Sequence, residues 1–288
     1  MASFVPLPGL PLSMASSRRP IARSASPSTA SSDSSDGVRT PDNEPRTLDL
    51  SSVADALAGL SKPKTSPATE SPTTPRALAL YAPLFLREPH VHRSMVQGRW
   101  KTVVATPRGV DRDEWIAINI FDFCRNLSIV DEVIAQHICN ADSCPRMTIG
   151  PGDDVLWADN QPRSAVSYID SVCAWIEMVL NDKTVFPTEP GRALSLAFST
   201  IARRMYICLL RVWAHIYHAH FDALAHLSLE SHTNALLAHV LIFGLSHELL
   251  APNCRELDPS DPRGAVLGGL LKAWSALGWV PHDLRPAK

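Results

Sequence analysis

From Trp115 onward, apolar residues return every three or four positions. That interval stacks side chains on one face of an α-helix. The first such run starts at Asp111, with Asp111 and Glu114 at the spacing of a capping box. Behind them Trp115, Ile118, Phe121 (or Phe123) and Leu127 form a predicted stripe that extends to about His137. A second helix is predicted over Ser167–Leu180, with Ile169, Val172, Ile176 and Val179 as its buried stripe and Asn181-Asp182 and Pro187 as its stop. A third fits about Ala193–His218 and a fourth about Ser231–Leu249. A last one covers Ala265–Leu277, weakened by Gly268 and Gly269. Lys101–Ala105, rich in β-branched residues, reads as a short strand or an extended wrap. Cys139, Pro145, Gly150, Pro151 and Gly152 mark a loop. Four or more helices joined by loops predict an all-α bundle.

Upstream the pattern disappears. Of the first 75 residues, 34 are Ser, Thr or Pro, too few apolar groups to offset the entropy of ordering. Residues 1–76 are therefore expected to be a disordered tail and 77–288 the helical domain, its folded part opening at Pro83-Leu84-Phe85-Leu86. The tail carries five Ser-Pro or Thr-Pro dipeptides, open to proline-directed phosphorylation or simply a product of its composition. Arg18, Arg19 and Arg23 without an acid in the first 32 residues hint at a transit peptide, but the prolines oppose its amphipathic helix.

Charge adds an exclusion. The tail holds eight basic and seven acidic residues and the domain 19 and 22. A mildly acidic domain lacks the basic footprint of nucleic-acid binders and suits a basic protein partner. No stretch is long and apolar enough to span a bilayer.

The candidate chemistry is metal ligation. Cys139 and Cys144, four residues apart in the loop, can reach one ion, and zinc favours thiolate and imidazole. Far downstream, His215, His218 and His220 lie within six residues. On an ideal helix His215 and His218 share a face, whereas His215 and His220 point about 140° apart. Four protein ligands would make the site structural, closed to water, and no HExxH supplies a general base. A zinc hydrolase is thus the least favoured reading.

These residues resemble a known family. Cys139-x4-Cys144-Pro145, Gly150-Pro151, Trp157-Ala158-Asp159, Tyr168-Ile169-Asp170, Phe186-Pro187 and Ala214-His-Ile-Tyr-His-Ala-His220-Phe221 are similar, in order and spacing over about residues 80–257, to the Mob (phocein) family. Pro83–Leu86, Gly98 and Lys101–Val104 resemble its fungal branch. The resemblance implies a four-helix bundle core with extra helices and a structural zinc. It implies no catalysis, and coactivation of an NDR/LATS-type Ser/Thr kinase through the kinase's N-terminal regulatory segment. Polarity, morphogenesis or the cell cycle would be its setting, in the cytoplasm, the nucleus or sites of polarised growth.

Carried over by position, the zinc ligands become Cys139, Cys144, His215 and His220, which requires the helix to end or distort between the histidines. The kinase surface becomes Asp111, Glu114, Trp115, Phe186 and Pro187. A phosphopeptide clasp, the basis of an alternative role as a scaffold for an upstream kinase, would fall on Arg203, Arg204 and Arg211. Its third arginine stands seven residues after the second where the family has three, as though about four residues were inserted near Ile207–Leu210. That turns a helix about 40° past a full turn and adds about 6 Å. A solvated basic face is the plainer reading of these arginines. Beyond Asp258 the resemblance ends.

Overall fold

The computed structural model describes residues 82–96, 99–135, 138–187, 194–195 and 197–281. The expected disordered tail lies outside them. Six α-helices occur among the described residues: α1 (Trp100–Val104), α2 (Arg112–Ala135), α3 (Ala165–Leu180), α4 (Phe198–His226), α5 (Glu230–Ser246) and α6 (Ala265–Ala276). A two-stranded antiparallel hairpin, β1 (Thr148–Gly150) and β2 (Asp153–Asp154), interrupts the loop after α2.

The core is the bundle α2–α5. Helix α4 is central: it touches α2, α3, α5, α6 and β1. Its sequence is apolar on most sides, and Met205, Leu209, Trp213, Ile216, Tyr217 and Leu224 are all buried. A helix surrounded by partners needs no solvent face. Helix α3 starts at Ser164, whose side chain accepts from the Ser167 N–H, and buries Ile169, Val172, Ile176 and Val179 as its spacing predicts.

Helix α2 departs from the expected phase. Ile116, Ile120, Phe123, Leu127 and Ile134 are buried, while Ile118 and Phe121 of the predicted stripe are exposed. The capping box is half present. The Asp111 carboxylate accepts from the N–H groups of Asp113 (2.8 Å) and Glu114 (3.2 Å), and the Glu114 side chain stays exposed. The predicted end near His137 lies outside the described residues.

Residues 101–105 do not form a strand. Trp100 and Val104, four apart, bury one face of a single helical turn on α5. The Val104 carbonyl accepts from His247 Nε2 (2.8 Å) and Trp115 Nε1 (3.4 Å), so the turn is tied to both neighbours.

Residues 82–96 form a strap of two 3-10 turns packed on α4, α5 and α6. Asn234 on α5 holds it, its Nδ2 donating to the carbonyls of His90 (2.9 Å) and Arg93 (2.7 Å) while its Oδ1 accepts from Tyr217 Oη (2.7 Å). Arg93 pairs with the fully buried Glu230. The segment beyond Asp258 joins the same core. Val266, Leu267, Leu270 and Trp274 of α6 are buried, and Trp274 Nε1 donates to the Val91 carbonyl (3.2 Å). Gly268, which weakens this helix by propensity, is needed there: an added Cβ would sit 2.4 Å from the Leu257 carbonyl oxygen.

Candidate metal centre and docking face

The loop Ile138–Cys144 is built by its polar residues. Asn140 Oδ1 accepts from the N–H groups of Asp142 (3.0 Å) and Ser143 (2.9 Å), an Asx turn, and Ser143 Oγ donates to the Ile138 carbonyl (2.5 Å). The Cys144 N–H donates to the Asn140 carbonyl (2.9 Å) and the Ala165 N–H to the Cys144 carbonyl (3.0 Å), which joins the loop to α3. Both sulfurs thereby face α4.

Opposite them stand His215 and His220. Helix α4 runs unbroken through both, so the expected end between them does not occur. Their backbone positions differ by five residues, but the imidazoles turn inward until the Nε2 atoms are 3.3 Å apart. His218, favoured by ideal-helix geometry, is exposed. His215 Nδ1 lies 2.8 Å from the Thr148 carbonyl. A carbonyl only accepts, so Nδ1 carries the proton and Nε2 keeps its lone pair for the centre.

The four ligand atoms lie within 4.8 Å of one another. Cys139 Sγ is 3.5 Å from His215 Nε2, and Cys144 Sγ is 3.4 Å from His220 Nε2. A tetrahedral zinc with ordinary bond lengths would set its ligand atoms about 3.3 Å apart for N···N and about 3.5 Å for S···N. The observed spacings match both values. The Cys144 thiol is held well below the ordinary thiol range, chiefly by its hydrogen bond with Cys139 and then by the two imidazoles, against burial. A deprotonated sulfur is the form a metal binds. This quartet can hold a metal ion with every position filled by protein.

The expected kinase-facing residues occupy two separate elements. Asp111, Glu114 and Trp115 open α2. Asp111 and Glu114 are exposed, and Trp115 is half-buried. Phe186 and Pro187 follow α3, with the Phe186 ring edge-on to Phe198 at 5.5 Å. The basic trio is not presented together. Arg203 is exposed and donates to the Glu248 carbonyl (3.1 Å), whereas the largely buried Arg211 pairs with Glu256 (3.5 Å).

Sequence reasoning missed one surface. On α2, Ile118 (53% exposed), Phe121 (52%), Ile129 (55%) and Val133 (40%) stand in solvent. At 100° per residue they share a sector of about 120° with Glu114, Asp122 and Arg125. The signal was present as apolar residues on both sides of α2.

Comparison with known proteins agrees with this architecture. The chain is 40% identical over 171 residues to the CBK1 kinase activator protein MOB2 of Saccharomyces cerevisiae, covering 58% of this chain and 59% of that protein. It is 38% identical over 171 residues to the maintenance of ploidy protein mob2 of Schizosaccharomyces pombe, covering 58% and 70%. It is 33% identical over 176 residues to the MOB kinase activator-like 1A of Arabidopsis thaliana, covering 59% and 80%. The chain thus spans little more than half of the yeast relative's length. The sequence profile of the Mob1/phocein family matches residues 92–259, more than half of the chain, and the chain belongs to that family.

Proposed function

We propose that this chain is a non-catalytic coactivator that binds the N-terminal regulatory segment of an NDR/LATS-type Ser/Thr kinase, in polarity, morphogenesis or cell-cycle signalling. The observation that carries the reading is the solvent-exposed apolar sector of α2, with Ile118, Phe121 and Ile129 bordered by Glu114 and Asp122. An amphipathic helix with basic flanks fits such a surface: its apolar face covers the anchors and its cations meet the carboxylates. Relatives named as kinase activators support the same reading. We further propose that the Cys139–Cys144–His215–His220 quartet holds a structural zinc, which bonds the loop after α2 to α4 and stiffens the bundle that carries the docking face. A closed tetrahedron leaves no position for an activated water, which argues against hydrolysis. The chain would act in the cytoplasm, the nucleus or at sites of polarised growth. The pairing of Arg211 with Glu256 does not favour a phosphopeptide clasp.

The test is affinity for a purified N-terminal segment of an NDR-type kinase. Phe121→Asp and Glu114→Lys alter exposed side chains and should lower the melting temperature by no more than about 4 °C. Each should weaken binding at least about tenfold, the loss typical of an interface anchor. Unchanged affinity in both variants would refute the docking face. Metal analysis should find one zinc per chain, and a strong chelator should lower the melting temperature; a chain without zinc and indifferent to chelator would refute the structural metal.

A further inference from the structure

The two thiols of the quartet are unequal in access. An open cavity of about 320 Å³ is lined by Ser143, Cys144, Pro145, Arg146, His215 and His218, among others. Cys144 borders it, and Cys139, 2% exposed, does not. The cavity has room for a small peroxide molecule beside Cys144, which is 9% exposed. The Cys139 sulfur waits behind it, within 4.8 Å.

The other four cysteines are poorer targets. Burial pushes the thiols of Cys124 and Cys173 up to about 12 and about 11, and shifts Cys208 and Cys254 upward as well. A thiol that stays protonated reacts slowly with peroxide.

We propose that Cys144 is an oxidation site, entered through this cavity by hydroperoxides and closed by Cys139 as its resolving partner. The chemistry balances in two steps. The Cys144 thiolate attacks the terminal peroxide oxygen, the S–O bond forms as the O–O bond breaks, and hydroxide leaves (alkoxide from an organic hydroperoxide). The Cys139 thiolate then attacks the Cys144 sulfenic acid, an S–S bond replaces the S–O bond, and a second hydroxide leaves. Both cysteines are oxidised and the peroxide is reduced. The disulfide takes two of the four donors away from the metal, so His215 and His220 alone cannot retain it. Oxidant would thereby unfasten the loop after α2 from α4, a reading that rests on the metal centre proposed above.

The experiment uses the full chain in its zinc-bound form, titrated with hydrogen peroxide. Zinc release is followed with a chromogenic chelator, and thiols are mapped by alkylation and peptide mass. The expected result is release of one zinc in step with loss of two hydrogens per chain, mapped to a Cys139–Cys144 bond and reversed by dithiothreitol. Cys124, Cys173 and Cys208 should still alkylate after denaturation. Ala219→Trp, which fills an exposed wall of the cavity, should slow the oxidation about tenfold. Oxidation of the other cysteines while Cys139 and Cys144 remain reduced would overturn the proposal, as would an Ala219→Trp rate equal to the unmodified chain's. Metal content before oxidation is a separate readout. A chain isolated without zinc would sink the metal reading, while the peptide map would still decide whether the thiol pair oxidises first.

Discussion

Replacing Asn234 with alanine should loosen the strap by an amount the hydrogen bonds themselves set. Asn234 is 1% exposed and makes three of them, to the carbonyls of His90 and Arg93 and from the Tyr217 hydroxyl. The alanine strands all three partners, and each buried orphan costs about 1–3 kcal/mol. The strap can shift its two carbonyls toward water, so the low end of the sum applies, about 3 kcal/mol. For a domain of this size that corresponds to a melting temperature lower by about 6–12 °C. Tyr217→Phe removes the hydroxyl from Asn234 Oδ1 and from Thr233, and should cost about 1–2 kcal/mol. The informative variant is the double one. Once Tyr217→Phe has removed the hydroxyl, Asn234→Ala has none left to strand, so the double variant should be more stable than the additive sum by about 1 kcal/mol or more. Urea denaturation of the four proteins measures this coupling, and proteolysis at Arg87 and Arg93 reports whether the strap is what opens. Strict additivity, or a strap no more open to protease, would refute this account of how residues 82–96 are held.

Acid stability should depend on His239. Burial lowers its pKa from the ordinary 6.5, and its Nε2 is buried without a partner in a box of Trp100, Phe123 and Phe243 rings. The folded state therefore takes up a proton less readily than the unfolded chain, so stability is full above pH 6.5 and falls as pH drops below it. His247 acts in the same direction. His239→Phe should flatten that acid limb relative to the unmodified chain in denaturant titrations at several pH values; an identical limb in both proteins would contradict it. Trp274→Ala should cost about 3–5 kcal/mol, because the ring is fully buried and its N–H holds the Val91 carbonyl. A change below about 1 kcal/mol would mean that α6 contributes little to the domain.

Much of this was legible because the long helices bury one continuous stripe, as in α3, where spacing alone identified Ile169, Val172, Ile176 and Val179. Helix α2 defeated that reading because it carries apolar residues on two faces, and periodicity does not say which one meets the core. Thr102, Val103 and Val104 favour a strand by propensity, yet tertiary contact of Trp100 and Val104 with α5 decides for a helical turn. The cysteine and histidine pairs were legible as metal-ligand types, and the family resemblance, not helix geometry, pointed to His215 with His220. Backbone direction puts His215 and His220 about 140° apart, and only the side-chain torsions bring them together. The Thr148 carbonyl that orients His215 has no sequence signature, since any residue would supply it.

The spacing of the quartet along the chain has a kinetic and topological consequence. Each thiol pairs with an imidazole 76 positions further on. An ion shared between them would close a long loop, much as a covalent cross-link does, and would remove about 4 kcal/mol of freedom from the unfolded chain on the loop-closure estimate. Nascent chains cannot complete this ring until His220 has left the ribosome. On the proposed zinc reading, mineral supply at that moment would decide when the two sides of this ring are joined.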